Sequence, residues 1–235
     1  MENFLATMED EFRSQIDQTI NNDLVRMAEQ GKLTLEHLQE IAKQQYNIAP
    51  QEFRHIALSL YRTGREDPPG DLHIQRTLAD ILDVFLSDWE AYQEFVEVLG
   101  LSLEQVRKAT VLPGAHYFIA WSHYSGAALE PEQHIAFLYI DWIAFGQACA
   151  KIVKALQQQK KFTPEKIKFL NLFAYSDEKL MNKMRQAVNS YAAKSEDNKW
   201  KIRWAVRLGL EAEKMFWDNI CDFGAKHAPF RVVTS

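Results

Sequence analysis

The chain has 235 residues, 47% of them hydrophobic and 12% aromatic, which is enough to bury one full core, so a single domain over 1–235 is expected. Its formal net charge is -5, and Lys and Arg are scattered rather than striped, so neither a nucleic acid nor an anionic membrane is expected as a partner. No basic, apolar leader opens the sequence, and Cys149 and Cys221 lack metal-binding spacing, which fits core thiols in a reducing, cytoplasmic setting.

No internal repeat, low-complexity tract or convincing strand alternation interrupts the sequence, and the period is helical throughout. A long helix is predicted after Gly31, from "LTLEHLQEIAKQQYNIAPQEFRHIALSLYR". It places Leu38, Ile41, Gln45, Ile48 and Glu52 on one stripe, with Tyr46, Phe53 and Leu60 beside it. Pro50 removes a backbone donor within this helix and predicts a kink near those residues. "TGREDPPGD", from Thr63 to Asp71, reads as a loop, and Gly100 ends the next helix before a Ser102 to Gln105 capping box. "VLPGAH", "LEPEQH" and "FTPEK" mark three further starts, the last with Thr163 as cap and Pro164 as first helical residue. The segment "GAHYFIAWSHYSG" interleaves His116, Tyr117, Trp121, His123 and Tyr124, rings that stack flat heterocycles as well as they fill cores.

Ile135 to Phe145 is apolar on every face apart from Asp141, so it should be the central, wrapped helix. The run "HIAFLYIDWIAFGQACAKIV" is broken by Asp141, Gln147 and Lys151 and reads as a core helix rather than a membrane span. Met181, Met184 and Met215 read as packing residues. A final helix is predicted from about Glu196 to Asp222, capped by Ser195 and stopped by Gly224. Its apolar positions Ile202, Val206, Gly209, Phe216 and Ile220 demand that Glu213 point inward. Glu211, in line with Arg207, Lys214 and Asp218, belongs to the solvated face. These boundaries give seven to nine helices in an all-α bundle.

Two carboxylates thus lie on apolar stripes. Glu213 needs a partner or a proton, and its readings are a ligand-binding acid, a buried ion pair or a tyrosine-bonded acid. Asp141 reads as a functional acid, a bonded core carboxylate or a residue at a subunit contact. Glu52 and His55 form an Glu-x-x-His pair of the type that serves di-iron sites in helical bundles. The final helix, however, has no histidine to complete such a site.

The order of elements, with "KLTLEHLQEIAKQQY", "WEAYQEFVEVLGLS", "HYFIAWSHY", "IAFLYIDW" and "EAEKMFWDN", resembles the TenA/PqqC group over nearly the whole chain. The resemblance implies a heme-oxygenase-like all-α bundle. In TenA-type thiaminases it implies a ring-lined aminopyrimidine pocket with an acid four residues before a Trp, an aspartate on the second long helix and a cysteine nucleophile on the central helix. Glu213 and Trp217 match the first, and Tyr117 falls where the family has a pocket tyrosine. Gln45 stands for the aspartate and Ile140 for the cysteine, so thiaminase chemistry lacks its nucleophile unless Cys149 substitutes. CADD-like iron oxidases share the fold, but Tyr92, Gly146, Val206, Leu210 and Glu213 stand where the resemblance implies ligands, a set too apolar to hold iron. A PqqC-like oxidase would need inward histidines and arginines that this interior does not offer.

The leading expectation is therefore a thiamine- or pyrimidine-related small molecule bound by Gln45, Tyr46, Tyr117, Tyr139, Trp142, Phe216 and Glu213, with Glu213 as acid–base group and no cofactor. A non-catalytic interaction protein is the second reading. The third is a metal-dependent oxidase using Glu52, His55 and Asp141. The family's habit implies a homodimer or homotetramer.

Overall fold

The computed structural model describes residues 3–63, 71–175 and 177–221. Most of the expected loop at Thr63 to Asp71, and the stop at Gly224 beyond Asp222, lie outside the described residues. Within them the chain forms eleven helices: α1 (Phe4–Glu11), α2 (Arg13–Ile20), α3 (Asp23–Glu29), α4 (Leu35–Thr63), α5 (Leu72–Val98) and α6 (Leu103–Arg107), then α7 (Pro113–Ala128), α8 (Pro131–Gln159), α9 (Pro164–Phe173), α10 (Glu178–Ala192) and α11 (Glu196–Cys221). That exceeds the seven to nine expected. The excess lies in the first thirty residues, where short turns at Phe12 and Asn21 divide one polar-faced segment into three helices.

The boundary chemistry is largely as the sequence specifies. Ser102 and Gln105 form a reciprocal capping box, Ser195 Oγ accepts from the Asn198 amide, and Pro164 opens α9. Gly31 and Gly100 adopt φ of 71° and 74°, letting the chain close α3 and α5 with paired amide-to-carbonyl bonds that a side-chain-bearing residue would strain. Pro50 lies inside a continuous α4 and deprives the Tyr46 carbonyl of its usual amide donor.

α8 is the axis of the bundle, packed by α2, α3, α9, α10 and α11, while α7 is wedged between α4 and α11. The wedge depends on two glycines. A Cβ at Gly126 would come within 2.3 Å of the His55 carbonyl of α4, and one at Gly114 within 2.2 Å of the Met215 carbonyl of α11. The start of α7 has no cap of its own, and Asn219 of α11 supplies one by accepting the Gly114 amide at 2.7 Å. α8 is long and apolar enough to cross a membrane by length alone, yet 67% of its most apolar window is buried in the bundle, as a core helix requires.

The methionines and cysteines divide. Met181, Met184 and Cys149 are buried, but Met215 is 40% exposed because it lies two residues past Glu213, across α11 from the buried stripe. Cys221 is half-buried at the edge of the core rather than inside it.

Candidate functional site

Four long helices and two shorter ones converge on a hollow at the centre of the bundle. α4 contributes Gln45, Ile48 and Glu52 at steps of three and four, α5 contributes Phe85 and α7 contributes Phe118. Asp141, Trp142 and Phe145 come from α8, Phe173 from α9, and Glu213 with Phe216 from α11. The space open to a water's centre is about 20 Å³, enough for one ordered water and too little for a ring. Trp142, Phe145 and Phe173 form a wall, on whose far side lies a second chamber of about 150 Å³ lined also by Val84, Asp88, Leu172 and Leu180.

Glu213 faces inward, 2% exposed, while Glu211 faces solvent beside the Lys214–Asp218 ion pair. Asp141 is likewise buried beside Glu213, and the contact between the two carboxyls lowers the pKa of Asp141 and raises that of Glu213, favouring the proton on the glutamic acid. One oxygen of each, Asp141 Oδ1 and Glu213 Oε1, has no hydrogen-bond partner. The Trp217 Nε1–H lies beside Glu213 and favours its charged form, although it makes no hydrogen bond of ordinary geometry.

Burial dominates the electrostatics. It pushes Asp141 up to about 8, and it pushes Glu213 well above the usual carboxylate range with help from repulsion by Asp141 and Glu52. Glu52 rises well above that range through burial and the nearby charges of Asp88 and Asp141. Asp88, at the second chamber, is pushed up to about 7 by burial alone, and its Oδ2 has no partner. Among the described residues nothing cationic counters Glu213 and no tyrosine bonds it, so the ion-pair and tyrosine-bonded readings of this residue fail there.

Of the seven residues expected to line a pocket, Gln45, Trp142, Phe216 and Glu213 meet at the hollow. The three tyrosines do not line it, and helical geometry gives the reason: a step of one or two residues turns a side chain by about 100° or 200°. Tyr46, one past Gln45, packs near Trp89 and Tyr92. Tyr117 is half-buried against the core, and it is the next residue, Phe118, that faces the hollow. Tyr139, two before Asp141, sends its hydroxyl to Glu9 at 2.8 Å and accepts from Arg185, on the α1–α10 side. Phe85, Phe145, Phe173 and Asp88 were not singled out from sequence.

The candidate metal set of Glu52, His55 and Asp141 does not assemble. His55 turns away from the hollow and its Nδ1 lies 2.9 Å from His134 Nε2 in a closed imidazole pair. Among the described residues no group of three or more His, Cys, Asp or Glu is placed to hold a metal ion. Cys149 is buried behind Glu213, and its thiol is pushed well up by burial and by that carboxyl, so it is a poor nucleophile. Ile140 is a core residue, and Tyr92 donates its hydroxyl to the Ala42 carbonyl at 2.7 Å, tying α5 to α4. Carboxyl groups are therefore the reactive equipment of this site.

No protein-family profile and no curated protein sequence matches the chain. Solved structures do. A TenA homologue from Pseudomonas syringae pv. tomato is 16% identical with a TM-score of 0.80, the match covering 94% of this chain and 96% of that one. A domain of unknown function with a heme oxygenase-like fold from Shewanella denitrificans is 16% identical at a TM-score of 0.79, covering 94% and 93%. Heme oxygenase from the cyanobacterium Synechocystis, solved with heme, is 14% identical at a TM-score of 0.57, covering 94% and 95%. At these identities the likeness establishes the heme-oxygenase-like all-α fold expected from the sequence.

Proposed function

We propose that the chain is a divergent TenA/PqqC-like protein that binds a small, flat, nitrogen-rich heterocycle, related to pyrimidines or thiamine fragments, and acts on it through Glu213. The observation that carries this reading is the Asp141–Glu213 acid pair, buried beside a ring-lined hollow with one oxygen of each residue unpartnered. A buried carboxyl without a partner costs stability, and a ligand bearing N–H donors would repay it. A protonated Glu213 can give its proton to a leaving nitrogen and, once ionised, take one from water, as acid–base catalysis requires. Gln45 adds an amide able to bond an exocyclic amine or a ring nitrogen. Among the described residues no thiolate, hydroxyl or amine nucleophile lines the hollow, which favours proton transfer over covalent catalysis of the thiaminase kind.

A thermal-shift screen with aminopyrimidines, thiamine fragments and quinone precursors tests the reading. A true ligand at a hundred times its dissociation constant should add about 2.7 kcal/mol of stability. Glu213→Gln should abolish that gain. Silence from every compound would instead favour a non-catalytic interaction protein of the same fold. A cytoplasmic homodimer or homotetramer belongs to the same proposal, and sedimentation of the purified chain tests its oligomeric part.

A further inference from the structure

Two acids line the outer chamber, and Asp177 is spent as the cap of α10, accepting from the Lys179 and Leu180 amides, so Asp88 is the one that the proposed acid–base role of Glu213 leaves unused. It is 9% exposed, its Oδ2 has no partner, and it lines the outer chamber with Val84, Leu172 and Leu180, on the far side of the Trp142 and Phe173 wall from Asp141 and Glu213. No Lys, Arg or His lines either chamber among the described residues. The inner hollow admits a water-sized group and the outer chamber is several times roomier, so the body of a flat ligand belongs outside the wall. Only a terminal nitrogen group would reach inward.

Charge counting extends the point. Three acids line the inner hollow, and repulsion among Glu52, Asp141 and Glu213 makes one ionisation there easier than two, so the hollow balances one cation. Asp88 offers a second charge at the opposite end. We propose that the two chambers form one bipartite site for a dibasic flat ligand, with one cationic nitrogen group at Asp141 and Glu213 and the second at Asp88. This rests on the reading of Glu213 given above and assigns Asp88 as a binding residue of that same site. The ring of such a ligand would lie against Trp142, whose face is shared by both chambers.

Three benzamidines separate the outcomes by calorimetric titration of the full chain near neutral pH. Benzamidine offers one flat cation that pairs with carboxylates in two-pronged fashion. Para-(aminomethyl)benzamidine adds a second cation, and para-ethylbenzamidine has the same shape without it. The dibasic compound should bind at least about tenfold more tightly than its ethyl analogue. Asp88→Asn should erase that ratio while leaving benzamidine affinity within about twofold. Equal affinity for the two analogues in the wild type, or a preference that survives Asp88→Asn, overturns the bipartite site. If benzamidine still binds and Glu213→Gln removes its binding, the Glu213 reading stands while the assignment of Asp88 fails. If no benzamidine binds the wild-type chain, the Glu213 reading falls and the bipartite site falls with it. Thermal unfolding of Asp88→Asn distinguishes loss of a contact from loss of the fold, since a folded variant that has lost only the ratio supports the proposal.

Discussion

Two clusters of polar groups meet inside the bundle, acids from α4, α5, α8 and α11 and imidazoles from α4 and α8, and burial drives them to neutrality from opposite directions. Glu52, Asp88, Asp141 and Glu213 have raised pKa values and hold protons, whereas His55 and His134 are lowered, His134 to about 3, and shed them. The imidazoles bond each other at 2.9 Å, which still leaves His134 Nδ1 without a partner, but neither ring lines a chamber. The acids adjoin open space, and Asp88, Asp141 and Glu213 each keep an unpartnered oxygen. The difference teaches that burial of a polar group does not distinguish a brace from a site. Unspent hydrogen-bonding capacity beside a hollow does.

The sharpest way to break this contrast is His55→Ala. It should cost about 3 kcal/mol by leaving His134 unpaired and opening a cavity, with no change in ligand affinity by calorimetry. A loss of affinity matching the loss of stability would place the imidazole pair in the site. Next comes pH. Asp141 has a folded value of about 8 against an ordinary 3.8, so its folded state holds the proton more tightly than the unfolded chain does. That contribution is fully present below about pH 4 and is lost as pH rises through about 8. Because the two lowered histidines gain stability over the same interval, the effect is read as the gap between wild type and the double variant Asp141→Asn/Glu213→Gln, which should shift against the wild type by about 3 kcal/mol between pH 5 and pH 8 in urea unfolding. The histidines act in the opposite sense, with stability present above their ordinary value near 6.5 and lost as pH falls toward the lowered value.

Smaller in stability but decisive for function is Glu213→Gln near pH 6. The acid is largely protonated there and unopposed by a cation, so an amide of the same shape should change stability by less than about 1 kcal/mol while ligand binding disappears. Loss of about 3 kcal/mol with binding intact would return Glu213 to a bracing role. The least effect is expected from Cys149→Ala, at about 1 kcal/mol of stability and no loss of turnover, since the buried thiol stands behind the carboxyl rather than in the hollow. A dead Cys149→Ala variant would restore the thiol as a nucleophile.

The sequence marks more of the site than Glu213 and Asp141. Glu213 was legible because one charged residue interrupts an otherwise apolar helical stripe. The same signal marks Asp88, since Ile81, Phe85, Asp88, Tyr92 and Phe95 recur at steps of four and three along α5, and all five are buried. The fold was equally legible in the caps at Ser102 and Ser195, the glycine stops at Gly31 and Gly100, and the proline starts, because these are local backbone requirements. The faces of Tyr46, Tyr117 and Tyr139 were less so. Each is aromatic, near a site residue and close to the core, and nothing in its own segment says which neighbouring helix it meets.

The amino-acid sequence alone determined that this chain is an all-helical bundle, that α8 is its axis and that certain carboxyls face inward, because periodicity, capping and composition act within a few turns of one helix. Tertiary structure alone decided that those acids come from α4, α5, α8 and α11 to surround two chambers divided by rings, and that His55 closes on His134 instead of joining Glu52. Which faces meet depends on close approaches such as Gly114 on Met215 and Gly126 on His55, contacts between residues far apart in the chain that no local pattern encodes.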